Sequence, residues 1–187
     1  PGTSHSSKTA SKMADFKVYT VDSKIGSYPM VKMLEVGKSL LEEGRGVEEV
    51  VAHIENMTNN SELSFIPSSL TQLHKSGRVS GTAAFLSNLL NIKVVISFDN
   101  GKTVPTEKVR ATKRAKNYVM GRLRKDMKIA EVPEVAVINC NNKKDAQTWR
   151  EEILQEFPNL KVIVIPLSAC VGVHAGEGTI GLSWVRY

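Results

Sequence analysis

The spacing of apolar side chains changes period several times along the chain, and each change marks an element. Phe16 to Val21 alternates in the period-two manner of a half-buried strand and closes on the polar Asp22, Ser23 and Lys24. From about Pro29 to Glu43 the period lengthens. Met30, Met33, Leu34, Val36, Leu40 and Leu41 form one face of a helix that Gly44 stops. Val47, Val50, Val51 and Ile54 repeat that pattern over residues 47–57. Leu63 to Pro67 reads as a short strand and residues 68–75 as a short helix, with Ser69 as its cap and Gly77 as its terminator. Ala83, Ala84, Leu86, Leu89 and Leu90 predict a buried helix over 81–91, and the β-branched run Ile92 to Phe98 predicts a strand. Asp99, Asn100 and Gly101 are a hairpin signal.

Beyond the hairpin, Thr103–Lys108 reads as a strand and turn. The spacing of Ala111, Ala115, Val119, Leu123 and Met127 predicts a helix within 107–128. A buried strand at Val135–Cys140 follows, then an amphipathic helix over 146–157 with Trp149, Ile153 and Leu154 inward. A strand at Leu160–Leu167, a glycine-rich turn and a last strand at Ile180–Tyr187 complete the series. Mixed strands and helices without an internal repeat predict an α/β fold. The segment before Pro67 holds one strand and two helices, too few to close a layer. The expected organisation is therefore an incomplete N-terminal α/β domain at 15–66 and a mixed α/β C-terminal domain at 67–187. Residues 1–14, rich in Ser, Thr and Lys, read as a flexible leader or a remnant of N-terminal loops.

Composition narrows the class. Of 187 residues, 41% are hydrophobic and 24% charged, the balance of an ordinary globular protein. No apolar run approaches membrane-spanning length and no secretory signal stands out, so a cytoplasmic protein is expected. Cys140 and Cys170 each lie in an apolar stretch without metal spacing and read as free thiols. The formal charge of +6 is uneven: Lys102 to Lys128 holds ten Lys or Arg residues against Glu107 and Asp126. Such a block suits nucleic acid, an acidic partner or a solvated helix face.

Candidate chemistry gathers in three places. Gly176, Gly178 and Gly181 follow His174 closely, so a backbone free to adopt positive φ could bring an imidazole donor to a carboxylate or phosphate; a tight turn with a backbone-satisfied histidine fits the same residues. Arg78 and Ser80 stand beside Gly77 and Gly81, where they could hold an anion at a helix start or cap two helices. Arg110 opens the basic helix. His5, His53 and His74 lack ligand spacing, and neither a Walker loop nor a nucleophile elbow is present, so no metal or cofactor is expected.

Five segments in order resemble the DegV family: Val21-Asp22-Ser23-Lys24; Leu70, Leu73, Lys75 and Gly77-Arg78-Val79-Ser80; Leu89-Leu90-Asn91-Ile92-Lys93; Lys108-Val109-Arg110 with Thr112; and His174 with Gly176, Gly178 and Gly181. The resemblance spans roughly residues 15–187. It implies a two-domain α/β protein that buries a long-chain fatty acid, such as palmitate, between its domains. It also implies a carboxylate held by a Thr and a Ser of N-terminal loops, with the loop histidine close by. In several bacteria such proteins resemble the lipid-presenting component of a fatty-acid kinase, whose separate subunit phosphorylates the acyl carboxylate. On that reading His174, Gly176, Gly178, Arg78 and Ser80 are lipid-binding residues. Thr3, Ser7 and Thr9 are remnants of the N-terminal loops, and Arg110 docks the kinase. The protein itself is then no enzyme, binds no nucleic acid and is compatible with transient contact at a membrane surface. Two alternatives remain: a hydrolase or phosphotransfer enzyme using His174, and a nucleic-acid-binding regulator using Lys102–Lys128. Glu177 stands where the family has proline.

Overall fold

The computed structural model describes residues 2–68, 70–77 and 92–187. Its elements are α1 (Gly2–Ser11), α2 (Tyr28–Glu42), α3 (Val47–Asn59), β1 (Ser61–Ile66), α4 (Leu70–Lys75), β2 (Lys93–Asp99), β3 (Lys102–Val109), α5 (Thr112–Asp126), β4 (Glu134–Asn139), α6 (Lys143–Glu156), β5 (Lys161–Pro166), α7 (Ala169–Ala175) and β6 (Ile180–Val185). The strands form one six-stranded sheet in the order β3-β2-β1-β6-β4-β5, antiparallel except for the parallel pair β4–β5.

Helices cover both faces of the sheet, and strand alternation assigns the side chains. Val135 and Val137 of β4, with Leu182 and Trp184 of β6, pack against Ala115, Val119 and Leu123 of α5 and Trp149 and Ile153 of α6. Ala136 and Ile138, one residue out of phase, join Leu63, Phe65, Val94 and Ile96 beneath Tyr28, Met33, Met57, Leu73 and Ala175. This two-sided burial explains why β4 reads as a continuous apolar run, buried at every position, rather than alternating. The half-exposed edge strand β3 tolerates Pro105, opposite a register shift at Val95 and Ile96. Asn100 (φ 47°) and Gly101 (φ 78°) make the left-handed turn that joins β2 to β3.

A polar cluster crosses the α5 face. Arg122 Nη2 donates to Glu62 Oε2 at 2.7 Å and its Nη1 to Ser97 Oγ at 2.7 Å; Ser97 and Ser64 share a hydrogen bond. Burial pushes the Glu62 carboxyl up, outweighing the pull of the Arg122 guanidinium. Trp184 Nε1 donates to Asp126, which also accepts from Arg186.

Four expectations differ. Residues 2–11, for which no helix was expected, form one with no buried residue, in which Ser7 and Thr9 hydroxyls donate to the carbonyls of Thr3 and His5. Phe16–Val21 forms no strand: both sheet edges belong to β3 and β5, and Phe16 stays exposed. The basic helix begins at Thr112, not Glu107, because pairing with β2 carries β3 through Val109. The chain after β5 winds into α7 before its glycine turn. β1 pairs on both sides with strands that follow Pro67 in the chain. The helix expected over 81–91 lies outside the described residues.

Candidate functional site

The sheet has two unlike ends. At one, β1, β3, β4 and β5 finish while β2 and β6 begin, bringing Ile66, Val109, Asn139, Pro166, Lys93 and Ile180 to the same side. Leu167 N–H donates to the Asn139 carbonyl at 2.7 Å as the chain leaves β5, and α7 starts two residues later. Gly172 faces Cys140 so closely that a Cβ there would meet Sγ at 3.0 Å. The helix ends at Gly176, whose φ of 85° lets the chain reverse toward β6.

Hydrogen bonds fix the turn that follows. Gly178 N–H donates to the Cys140 carbonyl at 2.8 Å, and Cys140 N–H donates to the Thr179 carbonyl at 2.9 Å. The fully buried Thr179 hydroxyl donates to the Ala175 carbonyl at 2.7 Å and accepts from Ser68 N–H at 3.3 Å. Asn142 Nδ2 donates to the Gly178 carbonyl at 3.0 Å. Gly178 adopts φ 87°, and a Cβ there would lie 3.3 Å from Ser68 Cβ. Glu177 is exposed and accepts from Asn141 Nδ2.

His174 sits in the last turn of α7. Its ring is partly exposed, yet its Nδ1 is buried and is the one such side-chain N or O atom without a hydrogen-bond partner among the described residues. An uncompensated buried nitrogen typically costs about 1–3 kcal/mol, so it marks a place where chemistry outside this chain's own bonding can act.

The remaining candidates are distributed. Arg110 is exposed, one residue past β3, at the same end of the sheet as His174. Arg78 and Ser80 lie outside the described residues; Gly77, with φ 68°, closes α4, which packs against α7. Thr3 and Ser7 line a cavity of about 680 Å³ with Tyr19, Ile25, Met30 and the hairpin residues Asn100 and Gly101, at the opposite end of the sheet. Thr9 is exposed on α1. The structure therefore brings His174, Gly176 and Gly178 together and does not bring Thr3, Ser7 or Thr9 to them. Sequence reasoning missed Ser68, Asn142 and Thr179, which hold the turn; the polar run Asn139-Cys140-Asn141-Asn142 after an apolar strand was their one signal. Among the described residues no three metal-ligating side chains converge and no helix is long and apolar enough to cross a membrane.

Residues 1–187 match the model of a family described as "Uncharacterised protein, DegV family". The chain belongs to the DegV family. It is 30% identical over 184 residues to a DegV domain-containing protein of Halalkalibacterium halodurans, covering 98% of this chain and 65% of that one. It is also 30% identical over 182 residues to a fatty acid-binding protein of Thermotoga maritima, covering 96% of this chain and 63% of that one. The chain thus spans less than two thirds of the length of these two curated relatives. The crystal structure of DegV, a fatty acid binding protein from Bacillus subtilis, superposes with a TM-score of 0.86 at 29% identity, over 100% of this chain and 67% of that one. The mixed α/β architecture is that of the DegV structures.

Proposed function

We propose that this DegV-family chain binds a long-chain fatty acid, such as palmitate, between two α/β domains, with its carboxylate at the His174 end of the sheet. The carrying observation is the buried His174 Nδ1, without a partner among the described residues, beside the Gly176–Thr179 turn, in a family whose relatives include fatty acid-binding proteins. A carboxylate oxygen could accept from the imidazole and relieve the unpaired nitrogen; left alone in a dry site, the carboxylate would cost several kcal/mol. Gly176 and Gly178 let the backbone approach it, and Arg78 and Ser80 are the proposed further donors. Each buried methylene contributes roughly 0.8 kcal/mol, so a long chain can bind tightly even after the entropy of immobilising it.

Binding fits the geometry better than catalysis. Among the described residues His174 makes no hydrogen bond to a serine, cysteine or carboxylate, the arrangement an activated nucleophile needs. The finer reading is a carrier that presents the acyl carboxylate to a kinase subunit, with exposed Arg110 on the docking surface. A rim charge of that kind governs association rate and its salt dependence. Arg110→Ala should therefore slow phosphorylation of the bound lipid at low salt; an unchanged rate at both low and moderate salt removes Arg110 from docking.

The decisive experiment is organic extraction of freshly purified full-length protein followed by mass spectrometry. One long-chain acyl species per chain is expected, and its absence overturns the reading. His174→Ala should lower fatty-acid affinity about tenfold, the effect of losing one charge-assisted hydrogen bond. Unchanged affinity would leave His174 as a structural residue.

A further inference from the structure

On the α5 and α6 side of the same sheet end lies a cavity of about 660 Å³, floored by Ile66 and Ile180 and bordered by Ser68, Asn142 and Gly178. Three lysines line it: Lys93 from β2, and Lys113 and Lys116 from the start of α5. They come from separate elements, so one exposed helix face does not account for them.

Both carboxylates in the cavity lining already have partners. Lys116, 14% exposed at its side chain, stands 3.8 Å from Glu152 and 5.2 Å from the Trp149 ring centroid, so it and Glu152 answer each other. Asp145, the other carboxylate in the lining, accepts from Asn142 Nδ2 at 3.1 Å and lies in the first turn of α6, where the helix dipole favours an anion. Lys93 and Lys113 make no ion pair among the described residues. The first turn of α5 contains no acidic residue, and its N-cap Ala111 makes no side-chain capping hydrogen bond. Two ammonium groups without an ion pair thus share one concavity with hydroxyl and amide groups of Ser68, Thr112 and Asn117.

We infer that this cavity is a binding site for a phosphate-bearing small molecule, its phosphoryl group held by Lys93 and Lys113. Two unpaired ammonium groups match a dianion, and lysine binds phosphate as a compact point charge. The volume falls within the range of about 300–1,000 Å³ typical of small-molecule sites, so there is room beyond the phosphoryl group. The inference does not rest on the acyl reading, because neither lysine contributes to the His174 turn.

The test is calorimetric titration of the full chain with inorganic phosphate and, separately, with adenosine 5′-monophosphate, at matched ionic strength. At least one probe should bind, and the double variant Lys93→Gln/Lys113→Gln, which keeps side-chain bulk without charge, should weaken it about tenfold or more. Lys125→Gln/Lys128→Gln, at the far end of α5, should change affinity less than about twofold. Binding of both probes means the phosphoryl group suffices; binding of the nucleotide alone means an organic phosphate is required. Failure of both probes, or an equal loss in the far-end variant, overturns the proposal. Extraction of lipid from the same preparation reads the acyl function separately.

Discussion

The two ends of the sheet differ in how completely their polar groups are answered. Where β4 and β5 begin, Glu134 takes the Tyr28 hydroxyl at 3.0 Å, Lys32 at 3.0 Å and an ion pair with Lys161. Burial pushes the Glu134 carboxyl up, but hydrogen bonds from Lys161, Lys32 and Tyr28 outweigh it and hold the group below its ordinary range. Burial, reinforced by Glu134, pushes the Tyr28 phenol far up, so it remains a donor. Where those strands finish, His174 Nδ1 is unpaired and Lys93 and Lys113 lack carboxylates among the described residues. A saturated cluster adds stability and has no donor to spare. An unsaturated one sacrifices stability and keeps its donors for something else.

The largest effect should come from emptying the saturated end. Glu134→Ala leaves the Tyr28 hydroxyl and Lys32 short of an acceptor and should cost about 2–3 kcal/mol, read from the urea midpoint. A loss below half of that would show that the cluster is less tightly coupled than its geometry implies. Next comes Gly178→Ala at the other end. Positive φ and the 3.3 Å approach to Ser68 predict about 1–2 kcal/mol of destabilisation, together with weaker fatty-acid retention. Normal retention in a destabilised variant would separate the turn from the ligand.

A smaller effect is specific to acid. Because the folded Glu134 carboxyl titrates below its ordinary 4.5, its contribution is complete above that pH and disappears as pH falls through the folded value. Unfolding free energies of wild type and Glu134→Gln should run parallel above pH 4.5, with wild type falling more steeply beneath it. Parallel curves down to pH 3 would mean that this charge does not hold the end together. The smallest change should be the stability of His174→Ala, within about 0.5 kcal/mol of wild type, since Nδ1 loses no hydrogen bond to a described residue and the packing lost with the ring offsets the relief of its unpaired nitrogen. A large drop in melting temperature would place His174 with the saturated groups and erase the contrast between the two ends.

Local periodicity specified most of the elements, because it encodes which face of each is buried. The stripe Ala115, Val119 and Leu123, the run Val135 to Ile138 and the turn at Asn100 and Gly101 were all legible, and each matches what the tertiary structure buries or turns. The spacing of glycines around His174 was legible as a local pattern, and the turn it predicts is seen in the positive φ of Gly176 and Gly178. Phe16–Val21 shows where periodicity fails: a strand needs a neighbour to pair with, and no period reveals whether an edge is free. The extension of β3 through Val109 was hidden for the same reason, as pairing with β2 overrode the helical pattern that starts downstream. Only the fold could set Thr179 against Ser68, more than a hundred residues apart, or bring Lys93 to the same cavity as Lys113. It was also the fold that separated Thr3 and Ser7 from His174 and left Glu177 exposed, because position across a sheet depends on strand order and register, which are non-local.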